Sequence, residues 1–275
     1  MASKNYNVVA FKVVLHCICL AVANSSDLSY PAVFNFGDSN SDTGDLAAGL
    51  GFQLIQPYGQ SYFNASSTGR FCWLIIVVDA MHMPFLNAYM DSIGLPNFQK
   101  GCNFAAAGST ILAATAASLC PFSFGIQVSQ FIRFKARVLE LLAAGQKYKK
   151  YVPAEDYFNK GLYMLDIGQN DLAGAFYSKT LDQKLYDQGA RNFWIHNTGP
   201  LGCLAQNIAK FGVDSSKLDE QGCVSSHNQA AKTFNLQLQA LCTKLHGQYP
   251  DANVTYVDIF TIKSNLISNY SNYGN

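Results

Sequence analysis

Three short apolar, β-prone runs in this chain each stop at a glycine or a cluster of turn-forming polar residues, and that repeated ending limits the fold more than any other feature. Ala32 to Phe36 halts at Gly37-Asp38-Ser39-Asn40-Ser41-Asp42-Thr43-Gly44. Leu162 to Ile167 halts at Gly168-Gln169-Asn170-Asp171, and Arg191 to His196 runs into Asn197-Thr198-Gly199-Pro200-Leu201-Gly202. Short continuous apolar runs bounded by turn signals fit strands buried on both faces, as in a parallel sheet. Gly101-Cys102-Asn103-Phe104 reads as a further short buried strand entering a turn at Ala105 to Gly108, and Asn253 to Ile259 as the last strand.

Helical signals lie between these runs. Ile126 to Leu142 carries Val128, Phe131, Ile132, Phe134, Val138, Leu141 and Leu142 on a broad apolar face, with Arg133, Lys135, Arg137 and Glu140 mostly opposite, and reads as a helix that covers a core rather than one that forms a site. Val224 to His246 reads as a long helix with Phe234, Leu238, Leu241, Cys242 and Leu245 inward. Leu74 to Met83 is apolar around Asp79 and His82, and periodicity does not decide between strand and helix there. Strands alternating with helices predict an α/β fold, a flavodoxin-like three-layer sandwich with a mostly parallel sheet. No G-x-G-x-x-G loop follows any strand, which argues against a dinucleotide site.

The N-terminus has a separate explanation. Lys4 precedes an apolar run from Val8 to Ala23 that is broken by Lys12 and His16 and ends in Ala21-Val22-Ala23. This is the pattern of a signal peptide over residues 1–23 cut before Asn24, and it is too short and polar for a stable membrane span. Residues 24–275 then read as a single domain of secreted type, extracellular or in the cell wall. Of the eight cysteines, Cys17 and Cys19 leave with that segment. A secretory route permits disulfides among Cys72, Cys102, Cys120, Cys203, Cys223 and Cys242. Cys203 with Cys223 is the preferred pair because both flank a polar loop; the others are read as buried thiols. Sequons at Asn24, Asn64, Asn253 and Asn269 make glycosylation candidates of these asparagines. No C-x-x-C or H-x-x-x-H spacing suggests zinc or another metal. Nineteen basic against eighteen acidic residues, with no basic cluster interleaved with aromatics, disfavour nucleic-acid binding.

In an open α/β sheet, ligands sit at the carboxyl ends of the strands. Ser39 falls there, at the start of a polar stretch expected to lead into a helix whose free N–H groups point at it. The Asn103 to Gly108 turn and the Gln169-Asn170-Asp171 segment end neighbouring strands. Acyl transfer needs a nucleophilic hydroxyl and donors aimed at an oxyanion, and a backbone N–H at a glycine turn and an asparagine amide are suitable donors.

These segments resemble the blocks of the plant GDSL esterase/lipase family, within the SGNH hydrolases. F-N-F-G-D-S-N-S-D-T-G is similar to the first block, G-C-N-F-A-A-A-G-S-T to the second, D-I-G-Q-N-D to the third, and N-T-G-P-L-G-C to the segment after the next strand; the likeness covers nearly all of residues 30–275. The resemblance implies Ser39 as nucleophile, an oxyanion hole from the N–H groups of Ser39 and Gly108 and the Asn170 amide, and no metal or organic cofactor. It implies a carboxylic-ester substrate: acyl or acetyl groups on lipids, small metabolites or cell-wall polysaccharides. Oligomeric state is left open.

Two departures go with it. The family's C-terminal Asp-x-x-His, which supplies the general base and its orienting acid, has no visible counterpart before Asn275, so the fold is expected to be incomplete at its C-terminus. The one Asp-x-x-His present, Asp79 to His82, lies between the first two blocks and is read as coincidence. His196 ends a strand and is the least implausible substitute base, with a structural role as its default; His227 and His246 sit on a helix. After Gly69-Arg70-Phe71-Cys72 a loop near the site looks shortened, and the crossover helix around Thr180 to Gln188 is brief. Two classes of function therefore stand: a secreted serine ester hydrolase, and a non-catalytic relative that binds an acylated ligand or partner.

Overall fold

The computed structural model describes residues 29–51, 53, 73–93, 95–112, 120–172 and 185–273. The segment read as a signal peptide, Asn24, Asn64, the Gly69 to Cys72 loop and most of the Thr180 to Gln188 crossover lie outside the described residues. The chain divides into two compact units. One spans Tyr30–His196 and Ala240–Val257, and the other includes Asn197–Gln239 and Asp258–Asn275.

The larger unit is built on five parallel strands: β1 (Val33–Gly37), β2 (Gly101–Asn103), β3 (Leu162–Asp166), β4 (Asn192–His196) and β5 (Asn253–Val257), in the order β2-β1-β3-β4-β5. This is the doubly wound, flavodoxin-like order that the strand endings predict as a class. Val33 pairs with Leu162 and Gly37 with Asp166, so β1 and β3 end level with each other. β2 pairs only with Val33, Phe34 and Asn35, leaving the last two residues of β1 without a strand on that side.

Alternation along β1 sends its side chains to two different covers. Phe34 and Phe36 face helix α3 (Phe124–Ala144), where Phe131 meets both rings edge-on at 5.5 and 5.8 Å. Phe104, Phe158 and Tyr163 complete a fully buried aromatic layer around Phe131. On the other face, Val33 packs with Leu162 and Met164 against Leu74, Val77 and Val78. Those last three lie on helix α2 (Trp73–Ala80), so the stretch that periodicity leaves undecided is helical. Helix α1 (Asp45–Leu50) follows the β1 turn. Two four-residue helices, α4 (Tyr157–Lys160) and α5 (Gln169–Leu172), flank β3.

Helix α3 departs from its expected apolar face at Ile132, which is exposed, and at Gln127, which is completely buried. In the second unit, Ala205–Phe211 forms α6, and Ile259–Ser268 forms α8 with the Asp258 carboxylate capping Thr261 N–H at 3.0 Å. Helix α7 (Ser225–Gln248) buries Phe234, Cys242 and Leu245, but Leu241 is exposed, against expectation, because it lies at the margin of the stripe that Ala231, Phe234, Asn235, Cys242 and Leu245 form. A disulfide joins Cys203 to Cys223. Around it, Asn228 Oδ1 accepts from Gly202 N–H at 2.8 Å, and its amide donates to Asp219 at 3.0 Å. Cys102, Cys120 and Cys242 are buried thiols. Among the described residues no helix is long and apolar enough to cross a membrane.

Candidate functional site

Ser39 sits two residues past the carboxyl end of β1, at the exposed tip of a tight turn. The turn closes on Asp38, whose carbonyl accepts from Ser41 N–H at 3.1 Å and Asp42 N–H at 3.0 Å. The Asp38 carboxylate, itself buried, accepts from the backbone and side chain of Asn40 at 3.0 Å each. Ser39 is thus held between two anchored neighbours. Among the described residues no hydrogen bond engages its own N–H or its hydroxyl.

The expectation that a helix start points at Ser39 is not met. Helix α1 begins six residues later, and its leading N–H groups close on Asp42 instead: Gly44 and Asp45 at 2.7 Å each and Leu46 at 3.4 Å. Asp42 was simply nearer in sequence, and a carboxylate accepts these donors better than a hydroxyl can. Burial pushes the Asp42 carboxyl upward against the pull of those N–H groups and that of Ala107.

That last bond ties the first polar segment to the second. Ala107 N–H donates to Asp42 Oδ2 at 2.8 Å, and Ser109 N–H closes a turn onto the Ala106 carbonyl at 3.1 Å. Gly108 occupies the third position of that turn with φ 79°, a conformation glycine adopts without steric cost. Buried Asn103 supports the turn from below: its amide donates to the Ser41 carbonyl at 2.7 Å and to Thr43 Oγ1 at 2.9 Å, and its Oδ1 accepts from Asn35 at 2.7 Å and Ala105 N–H at 3.0 Å.

The third segment follows β3. Gly168 turns the chain at φ 124° into α5. Asn170 Nδ2 donates to the Ser109 carbonyl at 2.8 Å, which leaves its second N–H for another acceptor. Gln169 Oε1 accepts from the Asn40 side chain at 3.2 Å, and the Asp171 carboxylate takes the N–H of Ile111 at 2.8 and 2.9 Å and that of Leu112 at 3.3 Å. Ser39, Gly108 and Asn170 are therefore brought to one edge of the sheet by a continuous set of hydrogen bonds.

Gln127 is the member of this set that sequence reasoning missed. Its Oε1 accepts from Gly37 N–H at 2.9 Å, and its Nε2 donates to the Gly37 carbonyl at 2.8 Å and to Ser109 Oγ at 2.9 Å. A glutamine on the buried face of an otherwise apolar helix stripe was the available signal.

The histidines lie elsewhere. His82 follows α2, whose Leu74, Val77 and Val78 pack on Val33 and Leu162, the first residues of their strands; the Asp79 to His82 turn is thereby on the amino half of the sheet, away from Ser39. His196 is the buried last residue of β4. His227 stacks near Phe211 with ring centroids 4.8 Å apart, and His246 is exposed near the end of α7. Asn253 on β5 and Asn269 after α8 are exposed, their amides donating to Asn192 Oδ1 and the Asn265 carbonyl. Among the described residues no group of three or more His, Cys, Asp or Glu side chains forms a metal-binding cluster.

The profile of the family described as GDSL-like lipase/acylhydrolase matches residues 33–274. The chain belongs to that family. A GDSL esterase/lipase of Arabidopsis thaliana is 64% identical over 287 residues, covering 96% of this chain and 70% of the relative. A second Arabidopsis GDSL esterase/lipase is 56% identical over 266 residues, covering 89% and 70%. An Arabidopsis protein named alpha-L-fucosidase 3 is 41% identical over 271 residues, covering 89% and 72%. The kinship is to carboxylic-ester hydrolases of plants, and it leaves the particular ester open.

Proposed function

We propose that this chain is a secreted serine ester hydrolase that works through an acyl-enzyme on Ser39, after removal of residues 1–23. The observation that carries the reading is the turn at Ser39, exposed and unengaged among the described residues while the backbone around it is bonded on every side. In the proposed reaction, Ser39 Oγ attacks the acyl carbonyl carbon and passes its proton to a general base. The oxyanion is held by the N–H groups of Ser39 and Gly108 and by the second amide N–H of Asn170. The alcohol leaves with a proton returned from the base, and water hydrolyses the acyl-serine by the same steps. Substrates of this class are acyl or acetyl esters of lipids, small metabolites or cell-wall polysaccharides. Glycosylation at Asn253, Asn269 and Asn64 belongs to the same secretory reading.

One observation favours a second reading, a non-catalytic relative that binds an acylated ligand. The one Asp-x-x-His of this sequence packs on the amino half of the sheet rather than beside Ser39. A single experiment separates the two. The chain is assayed on short-chain p-nitrophenyl esters beside Ser39→Ala, and a fluorophosphonate adduct is mapped by mass spectrometry. The hydrolase reading predicts turnover above Ser39→Ala by about 10³-fold or more and a label on Ser39. Equal rates and no label sink it and leave the binding reading.

A further inference from the structure

We infer that Gln127 is a positioning residue for the reaction at Ser39, its buried amide locking the end of the nucleophile's strand to the oxyanion turn. The inference rests on the reading of Ser39 as nucleophile.

The need for such a lock follows from the sheet. β2 pairs with β1 only as far as Asn35, so Gly37 emerges on that side with its N–H and carbonyl lacking a strand partner. Gly37 is buried, and an unpaired buried peptide group is costly. Gln127 supplies the partner of the N–H, accepting from it at 2.9 Å, and shares the Gly37 carbonyl with the backbone: Nε2 donates to that oxygen at 2.8 Å and Ala106 N–H at 3.2 Å. Gly37 itself admits no side chain: a Cβ there would run into Ser41 Oγ and the Asp166 carbonyl oxygen.

The same amide reaches the second segment. Gln127 Nε2 lies 2.9 Å from Ser109 Oγ and 3.1 Å from the Phe122 carbonyl, and Ser109 Oγ also donates to that carbonyl. Ser109 follows Gly108 directly, and its own carbonyl receives Asn170 Nδ2 at 2.8 Å. Each proposed oxyanion donor is therefore one or two residues, or one hydrogen bond, from a group that Gln127 holds. A side chain filling space under α3 would need only volume at this position. This one directs its oxygen and its two amide hydrogens at Gly37 and Ser109, two segments separated by more than seventy positions of sequence.

The test uses the full chain with Gln127→Met, which keeps the shape and removes the bonds, and Gln127→Glu, which keeps the acceptor for Gly37 N–H and loses the donors while ionised. Amide exchange is followed at Gly37 and Ser109, with Asn253 on the far edge strand as reference, alongside kcat and KM per folded molecule on a p-nitrophenyl ester. Displacements of about 1 Å at a reacting centre cost about 10²-fold. Gln127→Met is accordingly expected to lose about 10²-fold in kcat with KM within about twofold, and to lose protection at Gly37 and Ser109 but not at Asn253. Gln127→Glu is expected to recover rate as pH falls and its carboxyl regains a proton to donate, a limb absent from wild type and from Gln127→Met.

A purely structural glutamine would lower the folded fraction and leave kcat per folded molecule and the pH profile unchanged; that result overturns the inference, as does unchanged protection at Gly37. If Gln127→Met does not fold, Gln127→Glu carries the same readouts. A wild type no faster than Ser39→Ala overturns the nucleophile reading and the catalytic part of this inference with it, while the exchange measurement still decides separately whether Gln127 holds the two segments.

Discussion

Asp45→Asn should make this protein more stable, and more so as pH rises. Asp45 opens α1 and is completely buried. Its Oδ1 accepts from Met90 N–H at 2.7 Å, and its Oδ2 has no hydrogen-bond partner among the described residues. Burial, followed by the negative charges of Asp42 and Asp91, raises its pKa from 3.8 to about 7 against the pull of the Met90 N–H. A carboxyl raised in the folded state holds a proton that the unfolded chain has released, so between about pH 4 and pH 7 the folded state binds more protons and stability falls with rising pH. About three pH units at about 1.4 kcal/mol each give about 4 kcal/mol lost across that window. Asparagine keeps the acceptor for Met90 and carries no charge to bury. Urea unfolding of wild type and Asp45→Asn from pH 4 to pH 8 measures the difference. The advantage of the variant should grow by about 1.4 kcal/mol per unit from pH 4 to pH 7 and stay level above, equivalent to about 10 °C in Tm at pH 8. A pH-independent difference, or a variant that loses ground as pH rises, would show that Asp45 ionises normally in the fold and would refute the argument.

Two further outcomes follow from packing and cross-linking. Phe131→Ala removes the ring at the centre of the aromatic layer and should cost about 3–5 kcal/mol in chemical denaturation, the loss falling on β1 and β3 together because the ring touches Phe34, Phe36 and Tyr163. Replacing Cys203 and Cys223 together by serine frees a loop of sequence separation 20 and should cost about 3 kcal/mol in the unit that holds it, seen as a lower urea midpoint for its transition; the wild type under reducing denaturation should approach the variant.

The parts of the fold that sequence reasoning reached are those specified locally. β1, β3 and β4 end within a residue or two of where the apolar runs stop, because a glycine and polar turn residues end a strand without help from the rest of the chain. Residues 74–83 were ambiguous for the opposite reason. An apolar run this continuous carries no clear period, and it is Leu74, Val77 and Val78, packed with Val33, Leu162 and Met164, that mark the covered face of α2. Ile132 and Leu241 show the limit of face assignment, since apolar residues at a stripe's margin need not be covered. The same limit applied to the site. Ser39, Gly108 and Asn170 stood out because they fall at strand ends within recognisable blocks, whereas Gln127 meets Gly37 across 90 residues, and no local pattern specifies that pairing.

What the braces have in common explains why the polar segments carry more buried side chains than chemistry would use. Wherever a parallel strand ends, the chain that continues past it has peptide groups with no ladder to join, and each one buried unpaired costs about 1–3 kcal/mol. Here side chains meet that cost, some from the same turn and some from far along the chain: Asp42 for Gly44, Asp45 and Ala107, Asn103 for Ser41 and Ala105, Gln127 for Gly37, and Asp171 for Ile111 and Leu112. Each brace also fixes one loop against another, so the solution to a backbone problem is at the same time the frame of the site. Within that frame Ser39 is an exception, exposed and without a hydrogen bond among the described residues, at a turn whose neighbours are bonded. In the proposed reaction its N–H is a donor held in place before the acceptor arrives, the energy of positioning it being already spent in folding.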